Sequence, residues 1–162
     1  MLDVYTVSLF GHSRLSNSIN IEQALERTVR ELIKSKEYVE FLVGRKGDFD
    51  ILAASVIRTV DHTLGHGNVS LVLVLPYSTS EYRKNKESFE KYYDAVEICK
   101  QSSVMYFKGA YQICNRSMVD RSDFVICGIE RESGGAYQTI EYAIKQKKPV
   151  KNIGYSSLPS RK

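Results

Sequence analysis

Residues 69–75, Val-Ser-Leu-Val-Leu-Val-Leu, carry no charge, and Pro76 ends the run. Such a run is typical of a strand covered on both faces, which requires packed layers above and below it. The rest of the chain supplies those layers. Residues 3–10 and 38–43 read as strands. After each, a helical stripe follows: Ile21, Leu25, Val29 and Leu32/Ile33, then Phe49, Leu52/Ala53, Val56/Ile57, Val60 and Leu64. Asn20, with Gln23 three residues on, reads as the cap of the first helix. Residues 77–93 are polar and tyrosine-rich, and predict a loop and a short helix. A short strand at 94–99 and a helix at 106–121 come next.

Residues 124–127, Phe-Val-Ile-Cys, form a second short apolar run. The loop 130–133 and the pair Gly134-Gly135 follow, and then Tyr137, Ile140 and Ala143/Ile144 at helical spacing. This is a strand, a glycine turn and a helix. Glycines allow close backbone approach, and the helix start offers free N–H groups and partial positive charge, so the turn can hold a phosphate or serve as a plain turn. Residues 149–153 close the pattern as a strand that starts at Pro149.

Alternating strands and helices predict one α/β domain, with a mainly parallel open Rossmann-like sheet and helices on both faces. The domain is expected over residues 1–154, with a flexible tail at 155–162. In such sheets ligands bind beyond the C-terminal strand ends, where the strand order reverses. Three loops leave those ends with glycine and charge: 11–14, 44–48 and 130–135. Their convergence is a stronger signal than any one of them.

Composition narrows the partners. No apolar run approaches the roughly 18 residues of a membrane span. Three cysteines without CxxC spacing suit a reduced, cytoplasmic chain. His12, His62 and His66 lack the partners of a metal site, and neither a metal nor a cofactor is expected. Cys127, in an apolar run, reads as a core thiol. The net charge is +4, but the lysines and arginines are scattered. Glu130 and Glu132, in the third loop, stand beside the site. Nucleic acid is therefore the less expected partner. Tyr77, Tyr82, Tyr92 and Tyr93 crowd one polar segment and suit a homo-oligomer interface.

Phe10-Gly11-His12 with Arg14, Gly44 with Gly47-Asp48-Phe49-Asp50, Asn115-Arg116 with Asp120 and Ser122-Asp123, and Ser133-Gly134-Gly135 with Thr139 and Glu141 occur in one order. In this the chain resembles the SLOG superfamily over roughly residues 4–153, and its YpsA-like branch most. The superfamily includes the LOG phosphoribohydrolases, the DNA-processing protein DprA and proposed nucleotide-sensing domains. The resemblance implies a Rossmann-like fold with a nucleotide or ribose phosphate in the crevice. Against the LOG motif Pro-Gly-Gly-x-Gly-Thr-x-x-Glu, the residues Gly134, Gly135 and Glu141 are in register. Ser133 replaces the proline, Tyr137 the third glycine and Gln138 the threonine, while Arg116 lies about two positions too close.

The expected ligand is thus a nucleotide-derived small molecule, ADP-ribose-like or a cyclic nucleotide, held by a sensor or sequestering protein. N-glycosidic hydrolysis of a nucleoside 5′-monophosphate and single-stranded DNA binding are the alternatives. Turnover is left open; an enzyme would use Glu141 and Arg116. The resemblance implies a site built from Gly11, His12, Arg14, Gly44, Arg45, Asp50, Ser133, Gly134, Gly135, Thr139 and Glu141. Gly11, Arg14, Gly134 and Gly135 would hold phosphate, and Glu141 the ribose. His12 reads either as a ring stacked on a base or as a loop histidine. Asp50 reads as a cap or a ligand contact. Arg45 and Lys46 read as anion contacts or surface charge, and Arg116 and Asp120 as a helix-face ion pair or substrate contacts.

Overall fold

The computed structural model describes residues 2–103 and 107–154. In chain order its elements are β1 (Val4–Gly11), α1 (Ser18–Ser35), β2 (Tyr38–Val43), α2 (Asp48–Leu64), β3 (Val69–Leu75), α3 (Ser80–Lys84), α4 (Lys86–Tyr92), β4 (Ala95–Ile98), α5 (Phe107–Asp120), β5 (Phe124–Gly128), α6 (Gly135–Lys145) and β6 (Val150–Asn152). The six strands form one sheet in the order β4-β3-β2-β1-β5-β6, and every pairing is parallel.

Alternation along the pleat explains the uncharged β3 and the single charge of β2, the half-buried Glu40. On β3, Leu71, Leu73 and Leu75 join α1, α2 and α4 in one core, while Val72 and Val74 join α5 and α6 in the other. On β2, Val39, Phe41 and Val43 face the first layer and Leu42 the second. Both faces of β3 are covered along most of its length, so a charge at either parity there would be buried. Each Val or Leu so buried contributes roughly 1.5–3 kcal/mol. The expected α/β architecture, with helices on both faces, is observed.

Three local features differ from expectation. First, α1 begins at Ser18 with Asn17 before it, and Asn20 lies inside the helix. The Glu130 carboxylate accepts the N–H groups of Ser16 and Asn17, which fixes an earlier start. Second, the segment after β3 holds two short helices rather than one. Thr79 caps the first by accepting the Tyr82 N–H at 3.1 Å. Third, of the four tyrosines expected at an interface, Tyr93 is buried and Tyr77 and Tyr82 are half-buried. Tyr82 and Tyr93 pack on Phe89 with ring centroids 5.8 and 6.0 Å away, and only Tyr92 stays well exposed. The expected tail at 155–162 lies outside the described residues. No described helix is long and apolar enough to cross a membrane.

Strand order reverses at β1, which has β2 on one side and β5 on the other. From β1 the chain winds out to β4, then returns to lay β5 and β6 beyond it. The loops after β1 and β5 therefore part at their shared C-terminal edge, and a crevice opens between them.

Candidate functional site

The crevice has a volume of about 610 Å³ and is lined by four loops and by residues of α2, α3, α5 and α6. Loops after β1, β2 and β5 bring His12, Lys46 and Arg131. The loop after β3 brings Tyr77, Ser78 and Thr79, and α5 brings Tyr111, Gln112 and Asn115.

Behind Gly11, which lines the crevice, lies one buried aromatic ring. A Cβ on Gly11 would lie 2.1 Å from Phe49 Cγ, and one on Gly128 would lie 2.6 Å from Cδ1 of the same ring. Two strands thus give up side chains so that α2 can seat Phe49 across them, fully buried. Gly11 serves packing here. The start of α2 is also occupied: Asp48 N–H donates to Ser13 O at 2.8 Å and Phe49 N–H to His12 O at 3.4 Å. Asp48 and Asp50 add negative charge in that first turn. It is a poor place for an anion.

The start of α6 is different. Gly134 precedes it at φ 92°, ψ 176°, a backbone region essentially reserved for glycine, and no side chain caps the helix. Gly134, Gly135 and Ala136 line the crevice, so the first-turn amides and the positive helix end lie at its wall. Behind them Thr139 is buried. It donates to Gly135 O at 3.0 Å and accepts from Asn115 Nδ2 at 3.1 Å, and Gln112 Nε2 reaches Gly135 O at 3.2 Å. Thr139 therefore holds the turn from behind and ties α5 to α6.

The acids around the crevice are mostly engaged. Glu130 spends its carboxylate on Ser16 and Asn17 N–H groups at 2.8–3.1 Å. Glu81 pairs with Arg45, whose guanidinium also donates to Tyr93 Oη and sits 4.7 Å over Phe89. Arg45 lines the crevice, but these contacts hold it in place. Lys46 and Arg131 make no salt bridge among the described residues. Lys46 Nζ lies 4.6 Å over the Tyr111 ring, and Tyr77 stands edge-on to Tyr111 at 6.1 Å. Positive charge and aromatic surface thus share one wall.

Two titratable groups bear on the site. His12 is buried, and its Nε2 accepts the Arg131 N–H at 3.3 Å. Burial, then the Arg131 charge, lowers its pKa, so it is a neutral ring that braces the third loop. Asp50 Oδ2 accepts the Lys46 N–H at 2.9 Å. Burial raises Asp50 to about 6. Gly44 lies beside it: a Cβ there would come 3.0 Å from Asp50 Oδ2.

The fold gathers Gly11, His12, Gly44, Arg45, Asp50, Gly134 and Gly135 along the crevice. It leaves Arg14 and Ser133 exposed and outside the lining. Glu141 is exposed on α6, also outside. Arg116 stacks over Tyr142 at 5.1 Å, and Tyr142 donates to Asp120 at 2.7 Å, on the outer side of α5 and α6. Glu141 and Arg116 therefore do not meet in the crevice. His62 and His66 lie at the end of α2 opposite His12. Burial pushes the Cys114 and Cys127 thiols up to about 12, as suits core residues.

Tyr77, Arg83, Tyr111 and Gln112 also line the site, and sequence reasoning does not place them there; Arg131 lies in a loop that it places there without singling out the residue. The available signal is positional. The loop after β3 leaves the C-terminal end of the plainest strand in the chain, but it lacks the glycines that mark the other three.

No family model and no curated protein matches the chain. Solved structures do share its fold. DNA processing protein A (DprA) from Streptococcus pneumoniae is similar with a TM-score of 0.66 at 15% identity, over 92% of this chain and 50% of that one. DNA processing protein A from Helicobacter pylori is similar with a TM-score of 0.62 at 22% identity, over 97% of this chain and 66% of that one. The latter structure is described by its single-stranded DNA binding mode. The chain spans half the length of the first and just under two thirds of the second.

At these identities the likeness shows a shared Rossmann-like fold. It also corrects two expectations. The sequence puts a small nucleotide-derived ligand first, held by a sensor or sequestering protein, and makes nucleic acid unlikely. The structures that share the fold are DNA processing proteins, which reverses that order. The misleading features are Glu130, whose carboxylate is turned onto the 16–17 backbone, and basic residues that scatter in sequence but meet in space.

Proposed function

We propose that the crevice binds single-stranded DNA. One observation carries this reading: an uncapped helix start at Gly134–Ala136, the cations Lys46 and Arg131, free of salt bridges among the described residues, and the rings of Tyr77 and Tyr111 line one open trough. Single-strand sites combine those parts, a positive track for phosphates and aromatic faces for bases. Both DNA processing proteins that share the fold support the same class, and one of them is described as binding single-stranded DNA. Phosphates would meet the α6 amides, Lys46 and Arg131, and bases would turn toward the tyrosines. Placement in the YpsA-like branch is likewise proposed, on the motif order from Phe10 to Glu141.

The test is fluorescence anisotropy with a labelled dT oligonucleotide and a matched duplex at several salt concentrations. The single strand should bind more tightly, with log affinity falling by about 0.7 per decade of salt for each phosphate neutralised. Absence of binding at low salt, or equal binding of the duplex, would refute the reading.

A further inference from the structure

Of the two carboxylates in the crevice lining, Glu81 is paired with Arg45, and the carboxylate of Asp50 makes no salt bridge among the described residues and does not suit a phosphate. Its Oδ2 is fixed by the Lys46 N–H at 2.9 Å. Its Oδ1 has no hydrogen-bond partner among the described residues. Yet no buried side-chain oxygen is left unsatisfied there, so Oδ1 is open to the crevice. Gly44, without a side chain, leaves the approach to this carboxylate clear. Tyr111 is near enough to feel the Asp50 charge, and Tyr77 lies against Tyr111. A fixed acceptor thus stands at the foot of an aromatic wall.

A carboxylate repels phosphate and accepts hydrogen bonds only. Whatever meets Asp50 must present N–H or O–H donors. Within a bound strand the bases do so, at their Watson–Crick edges. Thymine offers one N–H flanked by two acceptors. Adenine and cytosine each offer an amino group beside an acceptor. Guanine alone has two adjacent donors, N1–H and the N2 amino group, spaced for the open Oδ1 and the remaining lone pair of Oδ2. We infer that Asp50 reads one base of the bound strand and that this base is guanine, packed along the Tyr77–Tyr111 wall.

This rests on the single-stranded DNA reading, and the experiment separates the two. Affinities are measured at pH 7.5 for a dT oligonucleotide and for the same oligonucleotide with one central dG, dA, dC or inosine. The dG strand should bind about tenfold tighter than dT, in the range that a bidentate contact supplies. Inosine, which lacks the N2 amino group, should fall between. In Asp50→Asn the ratio of dG to dT affinity should fall to near one. A ratio taken within one protein cancels any general loss of affinity, and the inosine series needs no variant. If no strand binds, the function itself is wrong. If strands bind with equal affinity for dG and dT, or if Asp50→Asn keeps the preference, DNA binding stands and guanine reading falls.

Discussion

Both carboxylate oxygens of Glu130 accept the backbone N–H of Ser16, at 2.8 and 3.1 Å, across 114 positions of sequence. One of them also takes Asn17 N–H at 2.9 Å. The loop after β5 is thereby stapled to the entry of α1, and an acid that sequence places beside the site is used up at its rim. Glu130→Ala should lower stability by about 1–2 kcal/mol, since bonds to a charged acceptor are worth more than neutral ones but these lie near solvent. Urea unfolding checks this; an unchanged midpoint would show that the staple is idle.

Lys46→Ala and Arg131→Ala should each weaken single-strand binding without regard to sequence. Each should also flatten the salt dependence by about 0.7 for the phosphate contact removed. Arg116→Ala, on the outer face of α5, should leave the slope alone. A slope that responds to Arg116 and ignores Lys46 would move the binding surface elsewhere.

Adjacent glycines should behave differently. Gly134 has φ 92°, and nothing lies within 4 Å of where a methyl group would sit, so its requirement is conformational. Gly134→Ala should cost on the order of 1–3 kcal/mol. At Gly135 a Cβ would make an ordinary 3.4 Å contact with Gln112 Nε2 inside a helix, and Gly135→Ala should be near neutral. Thermal melts of both variants decide it, and equal losses would contradict the distinction.

Asp50 gives the fold a pH signature. Burial raises its pKa from 3.8 to about 6, so between those values the folded chain holds a proton that the unfolded chain has released. Stability contributed by Asp50 therefore falls as pH rises through that window, and above it the full penalty remains. Asp50→Asn should gain on the wild type from pH 4 to pH 7, by on the order of 1–2 kcal/mol. His12, lowered by burial, works in the opposite sense but is common to both proteins. Parallel stability curves would show that the carboxylate is not strained. The groups facing it are the Lys46 ammonium and two tyrosines, Tyr93 and Tyr111, both raised by burial above the ordinary tyrosine range. The guanine preference should fade below about pH 6, when the protonated carboxyl stops accepting two donors.

Much of the architecture is legible because period and punctuation are local properties. The uncharged run at 69–75 and the glycine pair at 134–135 place β3 and α6 within a residue or so. The switch point follows from topology. What sequence does not show is how long-range bonds spend polar groups. Thr139 reads as a ligand contact and is a buried brace between Asn115 and Gly135. Arg45 reads as an anion contact or surface charge and is clamped by Glu81, Tyr93 and Phe89. Tyr111 sits on a helix whose inner face depends on packing against α6, and no short motif announces it.

The Phe49 ring that bridges Gly11 and Gly128 makes those two positions one unit. Gly11→Ala and Gly128→Ala would each displace the same ring, and once it has moved the second methyl meets little resistance. The losses should be strongly sub-additive, with a double-mutant coupling of about 1 kcal/mol or more. In an adapting lineage the first such change would be the hard one, and the second would follow almost freely.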